Sequence, residues 1–412
     1  MTESTTESVE SFRRRARAWL AETMPPRDGG PSALIEDDSH EWQVARELQK
    51  KLHAGGFAGI CFPRDYGGLG LTRAHQEAFN EESAGHEMPL LLNIPTFAIC
   101  AATLLDVGSE DQKRERIGAA IRGEEVLCQF LSEPGGGSDL AGLITRADRD
   151  GDHWLLNGAK TWSTSAYAAD WGLCLARTDW DVPKHQGLTM FLVPAKAPGV
   201  TMNRIRMVSG SREFCEEFFD DVVLPDSYVV GDVGGGWAVA SRQLFHERNA
   251  MGGGSPYVSG RGTPRILPKA TPIEVARASN RTDDPRVREM IGEHLALAEV
   301  ARQTASRVSR AMATGALPPA ASSMLRLLGA ESSQLSDDIA LKIAGAGAVT
   351  GVGTDPGIVG RAAIGFLSRQ SVSLGGGSTE MARNIISERL LGMPRESAPD
   401  RDVPFSQVRR GR

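Results

Sequence analysis

With 412 residues, 41% of them hydrophobic and 24% charged, the chain has material for two or three structural units that share interfaces. Its formal net charge of -6 gives no general attraction to nucleic acid, and no apolar run approaches the length of a membrane-spanning helix, so DNA binders and membrane-embedded proteins fall away. Cys61, Cys100, Cys128, Cys174 and Cys215 are scattered without CxxC spacing, which argues against a disulfide framework or a zinc site and for a reducing cytoplasm.

The opening MTESTTESVE is polar and acidic and reads as a frayed tail, not a secretion signal. From about Ser39 to Gly123 apolar residues recur at helical spacing, as in Trp42, Ala45, Leu48 and Leu52, which predicts a helical first third. Between about Leu127 and Val233 the runs shorten and alternate with period two, around a turn pair at Asn157-Gly158 and through REFCEEFFDDVVLPD, which predicts strands. GDVGGGW marks the exit, and helical periods return from Trp237. Gly252 to Pro272 is rich in Gly and Pro and reads as a long loop; Asp284-Pro285 signals a helix start and Pro318-Pro319 separates the next helix. Three domains follow: 1–126 helical, 127–236 of strands, and 237–412 a helical bundle.

The chemistry concentrates in SEPGGGSDLAG, Ser132 to Gly142, which joins an acid-proline pair to a glycine run and a Ser-Asp at a strand end. Glycines there expose backbone N–H groups and admit a phosphate or a ring system. By itself the run also fits a surface turn. About twenty residues later NGAKTWST returns a tryptophan and hydroxyls on a neighbouring strand, a π-face and hydrogen bonds for one flat heterocycle. Together the two segments point to a cofactor pocket.

GFAGICFPRDYGGLGLT, CQFLSEPGGGSDLAG, LNGAKTWSTSAYAADWGLCLART, FFDDVVLPD, GGGW and RNIISERLLGMPRE occur in the order of the acyl-CoA dehydrogenase family, which the chain resembles over most of its length. The resemblance implies an α+β fold: a helical N-terminal domain, a central β-barrel and a C-terminal four-helix bundle, with FAD between barrel and bundle and completed by a neighbouring subunit. Carried over by position, Leu131, Ser132, Gly137 and Ser138 line the flavin and the thioester end, while Trp162 covers one flavin face. Ser163 and Thr164 complete that wall, Thr164 near the flavin's reactive nitrogen.

Many family members carry their catalytic glutamate in a Tyr-Glu-Gly-Thr segment, which here reads SLGGGSTEMARN, with Gly376 in place of the acid. A second family arrangement sets a glutamate before an arginine on the first bundle helix, and LFHERNAMGGG supplies Glu247 and Arg248 there. Glu247 is thus the candidate base, against a plain solvated Glu-Arg pair. Ser138, Arg248, Gly376 and Gly377 are assigned to the substrate, whose thioester oxygen meets a backbone N–H near Gly376 or Gly377. Ser378 and Glu380 are assigned to the cofactor side, and His246 reads as structural. Arg281 is assigned to the FAD pyrophosphate, with Arg277 as competitor because ARASNRTDDPRVRE lacks the family's Phe-Gly ending. KIAGAGAVTG replaces the family's glutamine-containing glycine run, so contacts to the adenine end differ or come from a different subunit.

The implied reaction removes an α proton and a β hydride from an acyl-CoA thioester, giving a trans-2-enoyl-CoA, with electrons passed to an electron-transfer flavoprotein. Gly376 frees volume and the loop after Glu247 reshapes the mouth, which favours a bulky or branched acyl group, a steroid side chain first among them. The expected assembly is a homo-oligomer, dimer or tetramer, or an α2β2 hetero-oligomer with a paralogous subunit. The rival readings are a flavin oxidase, a structural subunit of a heteromeric dehydrogenase, and a pure binding module.

Overall fold

The computed structural model describes residues 7–27, 39–251, 254–262, 269–350 and 357–408. Of the polar start read as a frayed tail, residues 1–6 lie outside the described residues, while Val9 and Glu10 already belong to the first helix. Ser8 accepts a hydrogen bond from the Ser11 amide at 3.2 Å and caps the helix Val9–Thr23, whose Phe12, Ala16 and Leu20 fall on one buried face. Helices Ser39–Ala54 and Arg73–Ser83 follow as periodicity predicts.

One stretch, Leu90–Val107, is long and apolar enough to cross a membrane by length and composition, unlike the sequence-based expectation. Here 61% of it is buried inside the protein, its backbone is kinked out of the helix at Ile94, and beyond the kink Thr96 Oγ1 donates to Leu127 O at 3.0 Å, which ties that part to the first strand.

The middle third forms one sheet of eight strands: β1 (Leu127–Phe130), β2 (Arg146–Asp150), β3 (His153–Thr164), β4 (Trp171–Arg177), β5 (Leu188–Pro194), β6 (Val200–Ile205), β7 (Phe214–Pro225) and β8 (Val229–Val230). Their order is β6-β7-β3-β2-β4-β5-β8, with β1 added in parallel to β4. Asn157-Gly158 is not a hairpin turn; β3 runs through it with a register shift against β7. The glycine is needed because a Cβ there would lie 2.7 Å from Thr145 Cα, and the Asn157 side chain bridges to β7 by donating from Nδ2 to Asp221 Oδ1 at 2.9 Å.

The N-terminal helices and the sheet share one core, from Phe12 and Leu52 through Phe97 and Phe130 to Leu175 and Val230. Beyond the sheet comes the helix Gly236–Met251, whose Val239 and Ala240 still belong to that core, and then the helices Pro272–Ala278, Pro285–Ala313, Ser322–Ala344, Gly357–Ser368 and Thr379–Ile385, with a smaller core around Val275, Val287, Ile339 and Ile343. The Gly/Pro-rich segment ends in an unforeseen helix, Pro272–Ala278, started by a capping box between Thr271 and Glu274. Residues 252–253 and 263–268 of that segment lie outside the described residues. Its described part docks on the N-terminal domain: Tyr257 sits 4.6 Å from Phe62 between ring centroids, and the Ser259 amide donates to Asn93 Oδ1 at 2.7 Å.

Candidate active site

The glycine turn after β1 is anchored from below. Glu133 accepts from the Ile144 and Thr145 amides at 2.7 and 2.8 Å and pairs with Lys160 Nζ at 3.0 Å. Lys160, fully buried on β3, also donates to Leu131 O at 3.0 Å, and the Thr161 amide donates to Ser132 O at 2.9 Å. Burial by itself would raise the Glu133 carboxyl, but the Lys160 charge and the Thr145 and Ile144 hydrogen bonds outweigh it and hold the group below its ordinary value. Sequence reasoning missed this pair, although its halves stand in plain sight in SEPGGG and NGAK. Above the anchor the turn is open. Ser138 is exposed, Leu131 is buried, and among the described residues nothing stands within 4 Å of where a Cβ on Gly135 or Gly136 would be. Gly137 faces Ser132, whose Oγ would lie 3.3 Å from such a Cβ.

Trp162 stands at the second register shift between β3 and β7, with φ of 64° and 53% of its surface exposed, edge-on to Phe214 at 5.8 Å. A left-handed tryptophan is a strained exception that persists only when its surroundings hold it, and here the pairing of Thr161 and Ser163 with β7 on either side of it does. The bulge turns the next side chain inward. Ser163 is buried and donates to Glu217 Oε2 at 2.8 Å, so its hydroxyl faces the sheet interior and not the wall that Trp162 presents. Thr164 is half-buried at the strand end. Glu217 is a second feature the sequence reading missed: burial pushes its carboxyl up to about 8, and its Oε1 has no hydrogen-bond partner among the described residues.

The bundle brings a carboxylate to this wall. Glu247, half-buried on the helix Gly236–Met251, accepts at Oε2 from Gln129 Nε2 of β1 at 3.0 Å. Its Oε1 lies 3.7 Å from where a Cβ on Gly376 would be, so Glu247 and the glycine in SLGGGS face one another. Gln129, two residues before Leu131, thereby links the sheet wall to the carboxylate. One face of the same helix is pinned by His246, whose Nε2 lies 2.9 Å from Asp106 Oδ2, in keeping with a structural histidine. Arg248 is exposed beside Glu247.

Gly376 and Gly377 have φ of 72° and 99°, a left-handed backbone suited to glycine. Ser378 caps the helix Thr379–Ile385 by accepting from the Met381 amide at 3.2 Å, and exposed Glu380 meets Thr379 Oγ1 at 3.2 Å. Arg281 stays within the bundle: it donates to Ile343 O at 2.8 Å and pairs with Asp284 at 2.7 Å, whereas Arg277 is exposed at the end of its short helix.

The sheet and the bundle meet at the Glu247 carboxylate, and the chain belongs to the acyl-CoA dehydrogenase family, a family of oxidoreductases: the acyl-CoA dehydrogenase N-terminal, middle and C-terminal domains match residues 6–124, 128–222 and 234–391. It is similar to the acyl-CoA dehydrogenase IpdE1 of Mycobacterium tuberculosis, 33% identical over 402 residues that span 95% of this chain and 99% of that protein. Among solved structures it is similar to the Tcur3481-Tcur3483 steroid ACAD, with a TM-score of 0.69 at 26% identity over 95% of this chain and 99% of that one. The ChsE4-ChsE5 complex from Mycobacterium tuberculosis gives 0.68 at 26% identity, over 96% of this chain and 100% of that one.

Proposed function

We propose that the chain is an FAD-dependent enzyme that converts an acyl-CoA thioester to its trans-2-enoyl-CoA, with Glu247 as the base that takes the α proton. The observation that carries this is the carboxylate between Gln129 and Gly376: one oxygen is held at 3.0 Å, the other faces the glycine segment. A base needs a fixed position and a free lone pair, and Glu247 has each. The residues present fit a flavin. Trp162 offers an exposed π-face, and the turn at Gly135 and Gly136 leaves open space among the described residues. When bound, FAD accepts the β hydride. Leu131, Ser132, Gly137, Ser138, Trp162 and Thr164 would hold it, and the Gly376 or Gly377 N–H would hold the thioester oxygen as charge develops there.

Gly376 has no side chain to fill the space before Glu247, which supports a bulky acyl group. The likeness to a protein described as a steroid ACAD supports a steroid side chain. An electron-transfer flavoprotein is the proposed acceptor. The pairing of two names in each of the similar solved structures supports assembly with a paralogous subunit.

Glu247→Gln keeps size and the Gln129 contact but removes the base. Flavin reduction by the acyl-CoA should slow by about 10²–10⁴-fold in stopped flow while FAD content is kept, and reduction at the wild-type rate would place the base elsewhere. Adding Gly376→Glu, whose carboxylate would arise within reach of the same α carbon, should restore part of the rate.

A further inference from the structure

The helix Ser322–Ala344 runs behind the glycine segment and grips it at two points. Arg326 Nη2 donates to Gly375 O at 2.7 Å and its Nε to Gly377 O at 3.1 Å. Two turns further along the same helix face, Gln334 Nε2 donates to Ser373 Oγ at 2.7 Å and to Gln370 Oε1 at 3.1 Å. Among the described residues Arg326 has no acidic partner; its directed contacts are with the two carbonyls.

In a trans peptide the C=O and the N–H point in opposite directions. With the Gly375 oxygen turned toward Arg326, the N–H of the same peptide, which belongs to Gly376, turns away from it. Gly376 is the residue whose Cβ direction leads to Glu247 Oε1, 3.7 Å off. Neither the Gly376 nor the Gly377 N–H has a backbone acceptor among the described hydrogen bonds. Consecutive glycines with φ of 72° and 99° reorient their peptides at little steric cost, so the orientation has to be imposed from outside. A guanidinium suits this task, because its fixed fork can hold two carbonyls at once.

We propose that Arg326 is a positioning residue: by holding the Gly375 and Gly377 carbonyls it keeps the Gly376 N–H aimed at the thioester oxygen beside Glu247. The idea rests on the function proposed above and adds a determinant that touches neither substrate nor cofactor. It separates two roles within one segment, Glu247 moving the proton and Arg326 holding the donor that stabilises the charge left behind.

The test uses the FAD-loaded enzyme with a turned-over acyl-CoA. Loss of one oxyanion donor costs about 10²–10³-fold, and a donor freed to wander should cost less, about 10–100-fold. Arg326→Gln should therefore lower kcat and the exchange of the substrate α proton in D2O by about 10–100-fold, with KM within about 3-fold and FAD content kept. Arg326→Lys, which retains the charge and one donor, should lie between the two. Wild-type kcat and exchange in Arg326→Gln, or a lowered melting temperature with unchanged kcat per flavin, would overturn the proposal. Should Arg326→Gln fail to fold, Arg326→Lys decides: exchange slowed about 3–10-fold supports the role, and exchange at the wild-type rate refutes it. Glu247→Gln, run alongside, separates this from the underlying function. Fast flavin reduction in that variant rejects the base assignment, whereas its collapse with an unaffected Arg326→Gln rejects only the role of Arg326.

Discussion

On the sheet side of the site, the glycine turn at Ser132–Gly142 rests on a buried ion pair and two backbone amides, inside a core continuous with the N-terminal helices. On the bundle side, the segment Gly375–Gly377 is held by a half-buried arginine, in a domain whose own core is a small cluster around Val287 and Ile339. The helix Pro285–Ala313 makes the contrast plain. Among its described side chains only Val287 and Val308 are buried, while Leu295 and Val300 are exposed. A soluble helix of that length normally buries a stripe along its whole run. The sheet half is thus organised by its own interior, whereas the bundle half leaves apolar side chains of this helix exposed, which supports the proposed assembly with another subunit.

The hardest blow to the sheet half is to separate its ion pair. Lys160→Met should cost about 3–5 kcal/mol in urea unfolding, because Glu133 is left charged in a dry interior. Adding Glu133→Gln should recover much of the loss, as the stranded charge is then gone. A single variant as stable as wild type would show that the turn is held by the strand ladder and not by the pair.

For the bundle half, Leu295→Asp with Val300→Asp should break assembly in sedimentation and lower the bundle's stability by about 1.5–3 kcal/mol for each large apolar side chain that a partner would otherwise bury. The N-terminal and sheet unit should unfold as before. An unchanged oligomer would mean that this face stays in water, and the contrast between the halves would lose its basis.

The three zones were legible because periodicity is local: Trp42, Ala45 and Leu48 announce a helix, and the alternation through REFCEEFF announces a strand. Asp284 caps the long helix where Asp284-Pro285 signalled its start. Two local signals were misread. Asn157-Gly158 has the composition of a hairpin turn, yet its glycine serves close approach to Thr145; Leu90–Val107 is apolar over a membrane-spanning length, but its backbone is kinked at Ile94 and most of it is buried. Glu247 and Gly376 came from family resemblance. Gln129, 118 residues from its partner Glu247, lies in the motif CQFLSEPGGGSDLAG, yet nothing there named its partner, and Arg326 lay in a predicted helix without a motif. Such polar contacts join segments far apart along the chain, Gln129 to Glu247 between sheet and bundle and Arg326 to Gly375 and Gly377 within the bundle, which no window along the chain contains.

The finest test concerns Glu217, which shows that even the self-organised half keeps an unbalanced group. Its carboxyl, buried against Ser163, is raised by desolvation to about 8 from an ordinary 4.5, with the Ser163 hydrogen bond opposing the shift. Between those values the folded protein keeps a proton that the unfolded chain releases, so rising pH favours unfolding. The stability tied to this proton is complete below about pH 4.5 and is lost as pH climbs through about 8. Glu217→Gln has no such proton, and its amide oxygen still accepts from Ser163. Its stability should therefore gain on wild type by about 1 kcal/mol from pH 6 to pH 7, within the 1.4 kcal/mol ceiling for one proton per pH unit. Parallel urea curves for the two proteins from pH 5 to pH 8 would mean that Glu217 is ionised in the fold, and a buried anion directly behind Trp162 would then have to find its counter-charge in the neighbouring Lys160.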